Sequence, residues 1–175
     1  PPETPDEIGF STGFASHYAA YQSPDFIESL GKFYAEVHRG GAVAVAQLTH
    51  LSAAWAPSSV PVIGAQDYIP HTMGDEEIEF CFKTYADAAA VAKNAGADGI
   101  EIHCAHETLC YSFLSPVTNR RTDRWGGGPR ERIRFVVEAL ERVRKTIGTS
   151  LALGIRMSGQ EFRQGGYDNL ESREM

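Results

Sequence analysis

Three short apolar runs, each preceded by an amphipathic segment of helical period, constrain this chain more than any other feature. They read AVAVAQL from Ala42 to Leu48, DGIEIH from Asp98 to His103, and SLALGIRMS near 150–157. Runs with so little polar alternation suit strands buried on both faces, as in a parallel sheet. The first preceding segment, SPDFIESLGKFYAEVHRGG, offers Ser23 as N-cap, Pro24 at the first helical position, and Gly40 and Gly41 as a stop. The second opens on Asp75 and two glutamates, which suit a helix N-terminus. Its apolar positions Ile78, Phe82, Tyr85, Ala89 and Ala92 recur at three and four, and Gly96 closes it. The third runs from Pro129 to Gly148, with Ile133, Val136, Val137, Leu140 and Val143 along one face. The tail NLESREM reads as the first turn of a further helix.

Helix and strand therefore alternate, which implies a parallel α/β sheet with right-handed crossovers. The strand starts recur at intervals of about 55 residues. Long loops follow the strands, at 51–74 and 104–129, while short turns follow the helices. In a (β/α)8 TIM barrel the loops after the strands build the active site, so the length falls where chemistry would need it. A doubly wound sheet would call for a glycine-rich phosphate turn after a strand, and none is present. Eight such units would need roughly 400 residues. Residues 1–175 thus read as the central portion of a barrel, about three strand–helix units, with strands missing on both sides. Open sheet edges in such a piece lead us to expect self-association, and homo-oligomers are one form of it.

Composition excludes several classes of function. The chain is 42% hydrophobic and 22% charged, which is ordinary for a globular domain. Its net charge is −7 and its basic residues form no long tract, so no nucleic-acid partner is expected. No apolar stretch reaches membrane-spanning length and no signal-peptide pattern is present, so a cytoplasmic setting, no membrane and a small-molecule substrate are expected. Cys81, Cys104 and Cys110 are odd in number and lack framework spacing, which reads as three reduced thiols.

Chemistry gathers at the strand ends. His103 closes the second strand and His106 follows three residues later. A zinc site there would need a third ligand, for which Cys104 or Glu107 are the neighbours available. If the strand continues, Cys104 points away from His103, and no stoichiometric metal is expected. Two other readings stand: a structural pair of imidazoles, or two N–H donors that converge on an anionic or carbonyl oxygen. Gln47 ends the first strand, and Arg156 lies near the end of the third, where an arginine among apolar neighbours is costly without an electron-rich partner. Together Gln, His and Arg describe a polar mouth able to bind a planar heterocycle and polarise a carbonyl. The stretch FLSPVTNRRTDRWGGGPRERIRF, 113–135, reads as a loop held by internal ion pairs, with Asp123, Glu131 and Glu138 near its arginines.

The segment from DGIEIHCAHETL through FLSPVTNRRTDRWGGGPRERIRF strongly resembles the old yellow enzyme and NADH:flavin oxidoreductase family. AVAQLTH resembles that family's QLxH stretch and LGIRMS its VGxRxS strand. The resemblance runs from about Phe26 to the C-terminus. It implies an FMN-containing TIM barrel in which NADH or NADPH reduces the flavin and the flavin passes a hydride to an electron-poor alkene of enone type. By matched position, Gln47 and Arg156 would contact the flavin, while His103 and His106 would hold the substrate's carbonyl oxygen. Two departures stand out. Thr108 occupies the place of the family's tyrosine, its usual proton donor, and Glu107 the place of a glycine. The resemblance also admits amine or other substrate dehydrogenases, and longer members with an iron–sulfur cluster. A barrel remnant that acts as an interaction module, without catalysis, is the remaining alternative.

Overall fold

The computed structural model describes residues 21–50, 55–61 and 69–175. Helix α1, Pro24–Arg39, begins as the sequence predicts: Ser23 Oγ accepts the Phe26 N–H at 3.2 Å, and Pro24 occupies the first turn. Strand β1, Val45–Leu48, follows. The expected loop at 51–74 is not without structure, since Trp55–Ala56 (β2) pairs in parallel with His71–Thr72 (β3). Part of that loop lies outside the described residues.

Helix α2, Asp75–Ala95, buries all five of its predicted core positions and ends on Gly96 at φ 103°, a left-handed turn that glycine adopts without a Cβ clash. Strand β4 is Gly99–Cys104 and strand β5 is Ala152–Met157. They form one sheet with β1 in the order β1–β4–β5, parallel throughout. The three strands are adjacent and in chain order, as the alternation predicts. Asp98 fastens the lower end: its carboxylate accepts the Ala44 N–H at 2.6 Å and meets His38 Nε2 at 2.8 Å. That clamp ties the start of β1 and the end of α1 to the start of β4.

Two expectations need correction. The loop at 104–129 contains a short helix, α3, Leu109–Leu114. The third long helix is interrupted at Ile133, leaving α4, Pro129–Arg132, and α5, Arg134–Ile147. Ile133 stays right-handed at φ −69° and ψ −18°, close to a 3-10 turn, and i→i−4 bonds continue on both sides of it, from Ile133 N–H to Pro129 O at 3.1 Å and from Val137 N–H to Ile133 O at 3.0 Å. The buried face is rotated from the predicted one: Phe135, Ala139 and Ile147 join Val136 and Val143, while Val137 is 40% exposed. Phe135 wins because it meets an aromatic cluster. It stacks on Phe113 at 4.0 Å between centroids, 7° from parallel, and lies 5.0 Å from Phe82. The tail forms a three-residue 3-10 turn, Glu171–Arg173.

Candidate active site at the strand ends

Strand register decides which side chains meet. Gln47 stands opposite Glu101, and His103 stands opposite Arg156. Side chains alternate along a strand, so Gln47, Glu101, His103 and Arg156 share one face of the sheet. The other face carries Ile100, Ile102 and Cys104 into the core, with Ala46, Leu48, Leu153, Ile155 and Met157 packed against it. The polar face is the one the helices leave open, with Gln47 and Arg156 exposed. Gln47, His103 and Arg156 thus lie on one polar face of the sheet, and Cys104 is turned away from His103 as alternation requires.

His103 is 9% exposed. Its Nε2 lies 3.1 Å from His106 Nδ1, and its Nδ1 is buried without a hydrogen-bond partner. A buried imidazole nitrogen without a partner is uncommon, because most buried polar atoms are hydrogen-bonded. Burial holds the His103 pKa below its ordinary value, helped by His106 and Arg156 and opposed by Glu101. The ring is therefore neutral near pH 7. His106 lies beyond the strand at φ 53°, followed by Glu107 at φ 60°. Two successive left-handed residues cost roughly 1–2 kcal/mol each, and they turn His106 back over His103. The turn is held by the Leu109 N–H on the His50 carbonyl at 2.8 Å.

Thr108 does not face this mouth. It is 2% exposed, its Oγ1 donates to the His103 carbonyl at 2.9 Å, and it caps α3 by accepting the Tyr111 N–H. Tyr111 is also engaged: its hydroxyl donates to Glu161, and burial pushes its pKa up to about 12. All three cysteines are free and buried. Cys81 lies 3.6 Å from His50 Nε2, and Cys110 lies 3.3 Å from the Tyr85 hydroxyl. Burial pushes the Cys81 thiol well up, so it is no nucleophile at neutral pH.

The arginine-rich loop supports the mouth from behind. Arg121 pairs with Asp123 and donates to the carbonyls of Pro57 and Met73 at 3.1 and 2.7 Å. Asn119 Nδ2 donates to the carbonyls of Phe113 and Trp125. Buried Arg132 donates to Leu114 O at 2.6 Å and Gly127 O at 2.7 Å and pairs with Glu171. Arg124 reaches Asp75 at 3.8 Å. Glu131 and Glu138, expected as partners, take no part in these pairs. The expected internal ion pairs reduce to one, Arg121–Asp123; the other pairs tie the loop to Asp75 and Glu171 outside it.

Glu101 was not legible as a site residue from composition or motif. The two-residue period through Gly99, Glu101 and His103 was the signal for it.

A profile of the NADH:flavin oxidoreductase / NADH oxidase family matches residues 11–175. The chain belongs to this family. An NADH oxidase of Thermoanaerobacter brockii is 34% identical over 173 residues, which cover 97% of this chain and 25% of that protein. Histamine dehydrogenase from Rhizobium sp. 4-9 superposes with a TM-score of 0.80 at 27% identity, over 87% of this chain and 24% of that one. The old yellow enzyme homologue from Zymomonas mobilis superposes with a TM-score of 0.77 at 29% identity, over 87% of this chain and 48% of that one. The chain therefore spans about a quarter to just under half of these relatives' lengths. Family members are FMN-dependent oxidoreductases that use NADH or NADPH. Against such barrels, the three parallel strands here are a sector that does not close. Among the described residues no helix is long and apolar enough to cross a membrane.

Proposed function

We propose that this chain is the central sector of an FMN-dependent barrel that uses NADH or NADPH to reduce an electron-poor alkene of enone type. The observation that carries it is the His103–His106 pair, with its orphaned buried nitrogen, on the same strand ends as Gln47 and Arg156. This donor set fits a flavin. Gln47 offers an amide to the ring's polar edge, and Arg156, which no other side chain neutralises among the described residues, offers a positive charge where the ring would become electron-rich. When bound, the flavin supplies hydride transfer between the nicotinamide and the alkene.

His103 and His106 bind and orient the substrate. Their facing nitrogens, 3.1 Å apart, share one hydrogen bond, so a carbonyl oxygen that enters the site takes that bond's donor, and the other ring turns or changes tautomer to donate as well. Imidazole N–H donors placed this way draw electron density from the conjugated alkene and hold charge that develops on that oxygen. With the Thr108 hydroxyl bound to the His103 carbonyl, the proton for the second alkene carbon comes from water. Strands on both sides of β1 and β5 would come from the rest of a longer protein. The setting would be the cytoplasm and the substrate a small molecule.

The test is full-length protein, reduced anaerobically with NADH or NADPH and mixed with 2-cyclohexenone. Flavin reoxidation with saturated ketone as product is expected, with deuterium from D2O at one carbon. His103→Ala should lower the rate by about 10²–10³. One observation favours a second reading, a flavin-dependent amine dehydrogenase: the threonine cap removes the proton donor that only alkene reduction needs. Flavin reduction by an amine, with no turnover of any enone, would establish that reading in place of the first.

A further inference from the structure

Between the two residues read as flavin contacts lies a carboxylate with no assigned role. Glu101 is half-buried on β4, opposite Gln47 on β1 and Gly154 on β5. Gly154 has no side chain, so nothing on β5 at that level covers the carboxylate. Gln47 Nε2 donates to Glu101 Oε1 at 2.5 Å.

An amide has a donor end and an acceptor end, and a free glutamine can present either. A carboxylate is an acceptor only, so beside Glu101 one orientation of Gln47 is favoured: Nε2 toward the carboxylate and Oε1 away from it. The outward group is then an acceptor. The pyrimidine edge of an isoalloxazine carries one imide N–H between two carbonyls, and an acceptor complements that N–H.

We propose that Glu101 is a positioning residue, whose carboxylate holds the Gln47 amide so that Oε1 faces the flavin as the acceptor for the ring imide N–H. This rests on the reading above that Gln47 contacts the flavin. Glu101 also opposes the lowering of the neighbouring His103 pKa, so its charge is felt at the substrate grip as well.

A double-mutant cycle on the full-length FMN protein separates the possibilities, with FMN affinity measured by quenching of flavin fluorescence. Gln47→Leu should weaken FMN binding about tenfold, the equivalent of one hydrogen bond. Glu101→Leu should weaken it by a similar factor in the wild-type background and by less than twofold in the Gln47→Leu background. Glu101→Gln, which keeps an acceptor oxygen, should bind within about threefold of wild type. Equal losses from Glu101→Leu in both backgrounds would show a merely structural role and overturn the proposal. So would a Glu101→Gln variant as weak as Gln47→Leu. If Gln47→Leu has no effect, Gln47 does not touch the flavin, and the functional reading fails first. If only Glu101→Leu has no effect, this inference alone fails. Glu101→Ser replaces the leucine variant should that one not fold, with the same outcomes expected.

Discussion

Thr108 Oγ1 donates a hydrogen bond of 2.9 Å to the carbonyl oxygen of His103, five residues earlier, and so binds the cap of α3 to the end of β4. Thr108, at the position where the resemblance implies a tyrosine, is thus part of the scaffold that aims His103. Thr108→Val keeps the shape and removes both of its hydrogen bonds. It should cost about 1 kcal/mol of stability, measured by urea unfolding. In the full-length protein the same variant should reduce enones within about threefold of the wild-type rate, because the hydroxyl does not enter the chemistry. A loss of a hundredfold with unchanged stability would show that Thr108 delivers the proton.

The lowered pKa of His103 makes stability depend on pH in a definite direction. The unfolded chain takes up a proton on this ring near pH 6.5, while the folded chain resists it because the ring is buried beside His106 and Arg156. Its contribution is therefore fully present above pH 6.5, declines as pH falls from there toward the folded pKa, and is flat below it. Asp98 acts in a lower window. Its pKa is depressed by the Ala44 N–H and by His38, so its contribution is present above pH 3.8 and is lost as pH falls through the lowered value. Proton NMR of the ring, followed from pH 8 to 5, should show His103 titrating below 6.5. A value above 6.5 would reverse the first of these slopes.

Arg132 is 3% exposed and answers two backbone carbonyls and the Glu171 carboxylate. Arg132→Met fills similar space and leaves all three acceptors without that donor. A loss of about 3 kcal/mol is expected, at the low end for a broken buried pair because Glu171 can rehydrate. Urea unfolding checks it, and a loss below 1 kcal/mol would show that water replaces the guanidinium.

Phe135 joins α5 to α2 and α3 through Phe82, Phe113 and Trp125. Phe135→Ala should cost about 3–5 kcal/mol, whereas Val137→Ala on the same helix should cost less than about 1 kcal/mol. Comparable losses would restore the helix face expected from the periodicity.

FMN should bind the 175-residue chain weakly or not at all, although the full-length protein should be yellow. In barrels the phosphate is usually held by loops after strands 7 and 8, and ring contacts alone must offset roughly 4–15 kcal/mol of association cost. Titration with flavin fluorescence and light scattering followed together decides this. Submicromolar binding to a monodisperse monomer would show that further strands are not needed.

Helix and strand order, the parallel sheet, the caps at Ser23 and Gly96 and the family were all readable from the sequence, because they depend on period, punctuation and motif within short windows. Gln47, His103 and Arg156 could each be placed at a strand end for the same reason. Their gathering at one mouth followed from the barrel order, but which residue stands opposite which, Gln47 against Glu101 and His103 against Arg156, depends on register between strands about 55 residues apart, which no local pattern specifies. The same holds for the choice of Phe135 over Val137, which an aromatic cluster from three elements decides. It holds for Glu101 and Thr108 as well. The residue types allow several partners, and only tertiary structure set one carboxylate against Gln47 and one backbone carbonyl against the Thr108 hydroxyl, because a hydrogen bond is made by position and not by composition.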